Sequence, residues 1–136
     1  MLSTVQIKVR GYHLDLFQHV NNARYLEFLE EGRWDFFEQM SESTEWMENY
    51  VWPVVNININ FKAEARFGDV LDVQTRYAQL SQRSITMKQS IINQQTGKLV
   101  ADADVTYVCF CKQAKSAIAL PDNLRQSIQS AIESQA

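Results

Sequence analysis

Val5, Ile7 and Val9 alternate with Gln6, Lys8 and Arg10, and the same two-residue rhythm returns through the second half of the chain. Val55, Ile57, Ile59 and Phe61 alternate with Asn56, Asn58 and Asn60. Leu71, Val73 and Tyr77 follow, then Ile85, Met87 and Ile91. The last run takes Leu99, Ala101, Ala103, Val105, Tyr107, Cys109 and Cys111, opposed by Asp102, Asp104 and Thr106. Successive side chains of a strand point to opposite faces, so this period predicts strands with one buried and one wetter face, the habit of antiparallel sheets. Gly68-Asp69 and Gln95-Thr96-Gly97 supply turns between them.

After the first run the period changes. From Asn22 onward the apolar positions are Tyr25, Phe28, Leu29, Gly32 and Phe36, with Leu26, Phe37 and Met40 on the shoulder. Arg24, Glu27, Glu31, Asp35 and Glu38 fill the opposite side, which predicts a helix buried along one stripe. Asn21 or Asn22 suits its N-cap, because a short side-chain carbonyl accepts from the free amides of the first turn. A helix of about 17 residues is roughly 25 Å long, and five strands about 4.8 Å apart make a sheet of similar width. The helix is therefore expected to lie across the sheet and cover its apolar face. The fold class is α+β, an antiparallel sheet of five or more strands wrapped around one long helix. Gly32 costs about 1 kcal/mol against Ala in mid-helix, and close approach to the sheet is the expected compensation. Ser41–Tyr50, with Trp46 and Met47, reads as a short helix or ordered loop ahead of Pro53. Pro121 can open a second helix with Leu124, Ile128 and Ile132 on one side, expected on the edge or outer face of the domain.

Composition narrows the function more by exclusion. The 136 residues make one domain, 1–136, with no repeat or linker. A net charge of −3 gives no reason to expect nucleic acid or an anionic membrane as partner. The first residues alternate rather than forming a signal-peptide run, and no stretch nears the roughly 20 apolar residues of a membrane span. The expected location is cytoplasmic. Cys109 and Cys111 share one strand face, which suits two reduced, buried thiols better than a disulfide or a metal site.

Both histidines fall in one polar stretch between the first strand and the helix, His13 to Tyr25, reading HLDLFQHVNNARY. A cluster there, with helix-start amides and the helix dipole beside it, is a place for an oxygen that gains negative charge. Asp15 lies near enough along the loop to fold back toward the helix mouth. An Asp followed by HVNN and a Tyr three residues on resembles the hotdog-fold acyl-CoA thioesterases of the 4-hydroxybenzoyl-CoA thioesterase type. The resemblance continues through RYLEFLEEGRWDFF and VVNININFK to nearly the whole chain, and is strongest to the bacterial long-chain thioesterase III branch tied to fatty-acid β-oxidation. Many relatives carry Gly where this chain has Gln18. A branch linked to the Tol-Pal envelope system carries His where this chain has Asn22.

The resemblance implies that Asp15 is catalytic and that the Asn22 backbone amide polarises the thioester carbonyl. It also implies a homodimer or dimer of dimers, with the Asn56, Asn58 and Asn60 strand at or near the interface, although an ordinary solvated face would show the same residues. His19, Asn21 and Tyr25 are expected to support the loop, with His13 facing solvent or the loop backbone. Phe28 and Leu29, with Phe36 or Phe37, are candidates to line an acyl channel. Lys62, Arg66, Arg83 and Lys88 lie in a stretch where bases outnumber acids, unlike acidic 22–50, and are candidates for the coenzyme A phosphates. No metal or redox cofactor is called for. The expected reaction is hydrolysis of a fatty acyl-CoA. An acyl-carrier-protein thioesterase, a hotdog dehydratase and a non-catalytic acyl-CoA binding module are the rival readings.

Overall fold

The computed structural model describes residues 2–39 and 50–134. In chain order the elements are β1 (Leu2–Lys8), a 3-10 turn (Gly11–His13), α1 (Asn22–Glu38), β2 (Tyr50–Val51), β3 (Val54–Phe61), β4 (Val70–Leu80), β5 (Ser84–Asn93), β6 (Leu99–Val108), β7 (Phe110–Cys111), β8 (Ser116–Ala117) and α2 (Asp122–Ser134). A five-stranded antiparallel sheet runs β1-β4-β5-β6-β3, and β2-β7-β8 form a small second sheet. This is the hotdog arrangement. Apart from Tyr50, the stretch from Ser41 to Tyr50 lies outside the described residues. Among the described residues no helix is long and apolar enough to cross a membrane.

The inner face of the sheet is built from the alternating positions. Leu71, Val73 and Tyr77 of β4, Met87 and Ile91 of β5, and Ala101, Ala103 and Val105 of β6 pack with Tyr25, Phe28, Leu29 and Phe36 of α1. Each large apolar side chain buried this way contributes about 1.5–3 kcal/mol. Gly32 lets the helix sit close, since a Cβ there would lie 2.7 Å from Val73 Cγ1 and 2.9 Å from Thr75 Oγ1. At the same level Gln89, fully buried, donates to the Leu29 carbonyl (2.8 Å) and to Thr75 Oγ1 (2.9 Å). Its own carbonyl accepts from Arg33 Nη1 at 3.0 Å. A buried amide left unpaired would cost about 1–3 kcal/mol, so this tie holds helix and sheet in one alignment.

Three expectations need correction. The helix packs mainly on β1, β4 and β5 and meets the β6–β3 side more sparsely, through Phe37 against Tyr107 and Tyr25 against Phe61. Ile57 and Phe61 of edge strand β3 are therefore exposed, at 39% and 50%, and Val55, at 56%, sits in a register shift between Val54 and Asn56, although their alternation predicts burial. A register shift between Ile91 and Ile92, opposite Leu99 and Ala101, buries Val100 and turns Leu99 outward. The second helix also sits on the inner side, not the outer: Leu124 and Ile128 join the main core beside the far end of α1. The thiols stay free; Cys109 is buried and Cys111 half-buried. Burial pushes the Cys109 thiol up to about 11, with the Cys111 charge adding to it, so it stays protonated near neutral pH.

Candidate active site

The loop that enters α1 is a small hydrogen-bonded unit. Asp15 N–H donates to the His19 carbonyl (2.9 Å), Gln18 N–H to the Asp15 carbonyl (3.1 Å), and Asn21 N–H to the His13 carbonyl (2.9 Å). To close this turn Gln18 takes a left-handed conformation, φ 65°. That region is open to Gly and costs other residues about 1–2 kcal/mol, which fits the Gly that the resemblance leads one to expect there. Val20 N–H reaches the Ala65 carbonyl at 2.9 Å and His19 bridges to Arg66, so the loop is also pinned to the β3–β4 connection.

Asp15 is half-buried. Its Oδ1 accepts from Phe17 N–H at 2.9 Å and more loosely from His19 N–H at 3.4 Å, while its Oδ2 has no partner among the described residues. At the helix start Asn21 is the cap: its Oδ1 accepts from Ala23 N–H (2.9 Å) and its carbonyl from Arg24 N–H (2.8 Å). Asn22 N–H is left with no acceptor among the described residues. A carboxylate oxygen and a helix-start amide, both unpaired, thus flank one short loop.

The supporting residues are held from several sides. Tyr25 is buried, and its Oη accepts from Ala65 N–H at 3.3 Å. Burial holds its hydroxyl above the usual phenol range, and the nearby Glu64, Asp15 and Asp69 charges push the same way against the Ala65 bond. His13 is buried rather than solvent-facing. Its Nδ1 accepts from Arg10 N–H (2.8 Å), and its ring stands edge-on to Phe28 at 5.0 Å. Burial, then the Arg24 charge, lowers its basicity, which suits a neutral acceptor. His19 Nε2 meets Glu64 Oε2 at 2.9 Å, and Arg66 Nη2 donates to Glu64 Oε1 at 2.7 Å. The Arg66 bond chiefly holds the Glu64 carboxyl below its usual range, with desolvation opposing and the His19 charge helping. These groups are exposed enough for solvent to screen them, so they fix geometry more than they add stability.

Glu64 was not among the residues picked out from the sequence, since its only local signal is a lone acid in KAEAR. Lys98 was also missed. With Arg66 it borders a shallow depression of about 490 Å³ beside the loop. Of the other basic candidates, Lys62 lies close by, its N–H bonded to the Val100 carbonyl. Arg83 lies at the opposite end of the sheet, and Lys88 stands exposed in mid-sheet between Arg76 and Asp104. Phe28 and Leu29 are 5% and 0% exposed, inside the core. Among the described residues no three His, Cys, Asp or Glu side chains gather as a metal site would need.

A family model described as the thioesterase-like superfamily matches residues 9–128. The chain belongs to that superfamily. This thioesterase is 47% identical over 130 residues to the long-chain acyl-CoA thioesterase FadM of Escherichia coli K12, covering 94% of this chain and 98% of the relative. Its fold is similar to the crystal structure of YbaW, a probable thioesterase from Escherichia coli. That match has a TM-score of 0.88 and 44% identity over 95% of this chain and 98% of the other. The hypothetical protein TT1821 from Thermus thermophilus matches with a TM-score of 0.81 and 30% identity, over 96% and 98% of the two chains.

Proposed function

We propose that this thioesterase hydrolyses long-chain fatty acyl-CoA to free acid and CoA, in the cytoplasm. The observation that carries the reading is that Asp15 Oδ2 and Asn22 N–H, both without partners among the described residues, stand on one loop. The similarity to FadM supports the substrate class. Asn22 N–H donates to the thioester oxygen and stabilises the negative charge that gathers there. Asp15 then acts in one of two ways. As a general base it takes a proton from water while the water oxygen attacks the carbonyl carbon. As a nucleophile its own oxygen attacks, and water hydrolyses the resulting mixed anhydride. In both routes the carbon–sulfur bond breaks and the sulfur leaves with its electron pair to be protonated as CoA. Arg66 and Lys98, with Lys62 nearby, supply positive charge for the CoA phosphates beside the loop.

The working unit is a dimer, or a dimer of dimers, joined along β3. That strand bonds to β6 on one side only, and an unpaired apolar edge is a surface for another strand. Thiol release from a panel of acyl-CoAs tests the reaction. Release only from acyl carrier protein, or binding without release, would replace it with the corresponding rival. Single turnover in ¹⁸O-water identifies the anhydride route if label enters Asp15, which follows from attack of water on the Asp15 carbonyl; trapping with hydroxylamine detects an anhydride whose acyl carbon is attacked instead. Sedimentation at working concentration tests the dimer, and a fully active monomer would remove it.

A further inference from the structure

The substrate's acyl chain needs a place to lie, and the core gives none beside Phe28 and Leu29. The other flank of α1 does. Leu26, 41% exposed, begins a line that continues through Glu30, Arg33, Trp34 and Phe37 at helical spacing. The last four border a cavity of about 370 Å³ under the far half of the helix. Ile85 and Met87 of β5 form its floor, Trp52 and Val54 one side, and Leu124 of α2 another.

An apolar track leads there from the loop. Phe61, Ile59 and Ile57 stand opposite the buried Ala101, Ala103 and Val105, which places them on the inner face of the sheet. Phe61 lies 5.5 Å from the Tyr25 ring at the helix mouth, and Val54, at the other end of β3, belongs to the cavity wall. Pairing along the β3 edge uses backbone groups and leaves this face in place.

The lengths agree. At about 1.5 Å per residue, the cavity residues begin about 12 Å from Asn22, at Glu30, and end about 22 Å away, at Phe37. A saturated chain of ~1.5 Å bonds advances about 1.25 Å per carbon, so those distances correspond to roughly ten and roughly eighteen carbons.

Resting on the reading of the preceding section, we infer that the cavity between the far half of α1, β5 and α2 seats the distal part of the acyl chain and sets the chain-length preference. Acyl groups shorter than about ten carbons end on the track. Longer ones exchange water for the cavity wall.

The test compares kcat/KM for tetradecanoyl-CoA and octanoyl-CoA. Ile85→Phe narrows the cavity from its floor. Val54→Phe narrows it from an exposed wall position, where folding is not at risk. In each variant the tetradecanoyl-to-octanoyl ratio should fall at least tenfold. A folded variant of each kind that keeps the original ratio overturns the inference, whether or not overall activity drops. Tetradecanoic acid titrated against the fluorescence of Trp34 and Trp52 gives a readout independent of hydrolysis. Saturable binding, weakened at least tenfold in Ile85→Phe and absent with octanoic acid, is expected even if no acyl-CoA is turned over. No saturable response in the unaltered protein would remove the cavity from consideration.

Discussion

At its N-terminal end α1 meets water: Asp15 is half-buried, Asn22 N–H has no partner among the described residues, and Leu16 and Phe17 on the loop are 89% and 74% exposed. Toward its other end the same helix turns Trp34 and Phe37 to a hollow walled by aromatic and aliphatic side chains. The first region is shaped by hydrogen bonds among neighbours in sequence, from His13 to Arg24. The second is shaped by where packing stops, among residues from α1, β2, β3, β4, β5, β6 and α2. Polarisation and proton transfer need fixed directions. An alkyl chain needs volume without them.

Adjacent phenylalanines give the most forceful test of this contrast. Phe36 is fully buried, edge-on to Tyr77 at 4.9 Å, whereas Phe37 is half-buried at the cavity border. Phe36→Ala should cost about 3–5 kcal/mol of stability by denaturant unfolding, and Phe37→Ala only about 1–2, because little packing is lost at an existing void. Equal costs would mean that the far end is packed solid. At the mouth, Asp15→Asn should leave the fold intact and lower kcat by about 10²-fold or more, about 2.7 kcal/mol on the barrier. Its KM for a long-chain acyl-CoA should change little, since coenzyme and chain touch other residues. Near-normal turnover in steady-state assays would strip the loop of its chemistry.

The loop was legible in sequence because its parts lie within one short stretch and each residue type has a specific job. Asn21 caps, Tyr25 reaches back to Ala65, and Gln18 takes the left-handed turn position that suits Gly. The strands were legible by their period, and so was the inner face wherever the helix lies over it. What failed has a common cause in tertiary placement. Alternation puts Ile57 and Phe61 on the inner face but does not say how sparsely α1 covers β3. A bulge near Leu99 moves the pattern by one residue, and Gly97 just before it announces only the turn. The cavity leaves no periodic signature, and the Glu64 link to His19 joins residues 45 positions apart.

Smaller changes sharpen the mouth further. Asn21→Ala removes the acceptor for Ala23 N–H and should cost about 1 kcal/mol, while Asn21→Asp should restore most of it. Thermal denaturation of the two variants side by side checks this. Gln18→Gly relieves the left-handed backbone but adds freedom to the unfolded chain, so a net gain of about half a kcal/mol is expected. A loss on the same assay would show that the Gln18 side chain contributes more than the turn it strains.

The buried amide of Gln89 has a consequence for measurement. By holding the Leu29 carbonyl, Thr75 and Arg33 at once, it indexes α1 against the sheet like the zero mark of a gauge. Sliding the helix by one turn would displace its two ends together by about 5.4 Å, the span of about four methylenes. It would also strip the buried Gln89 side-chain amide of its partners on the helix. The gauge can therefore be reset only in steps that rebuild the middle of the helix, whereas the hollow at its end can be refilled one side chain at a time. Relatives that share this amide would then differ in the chain they read through the wall residues, with the scale itself unchanged.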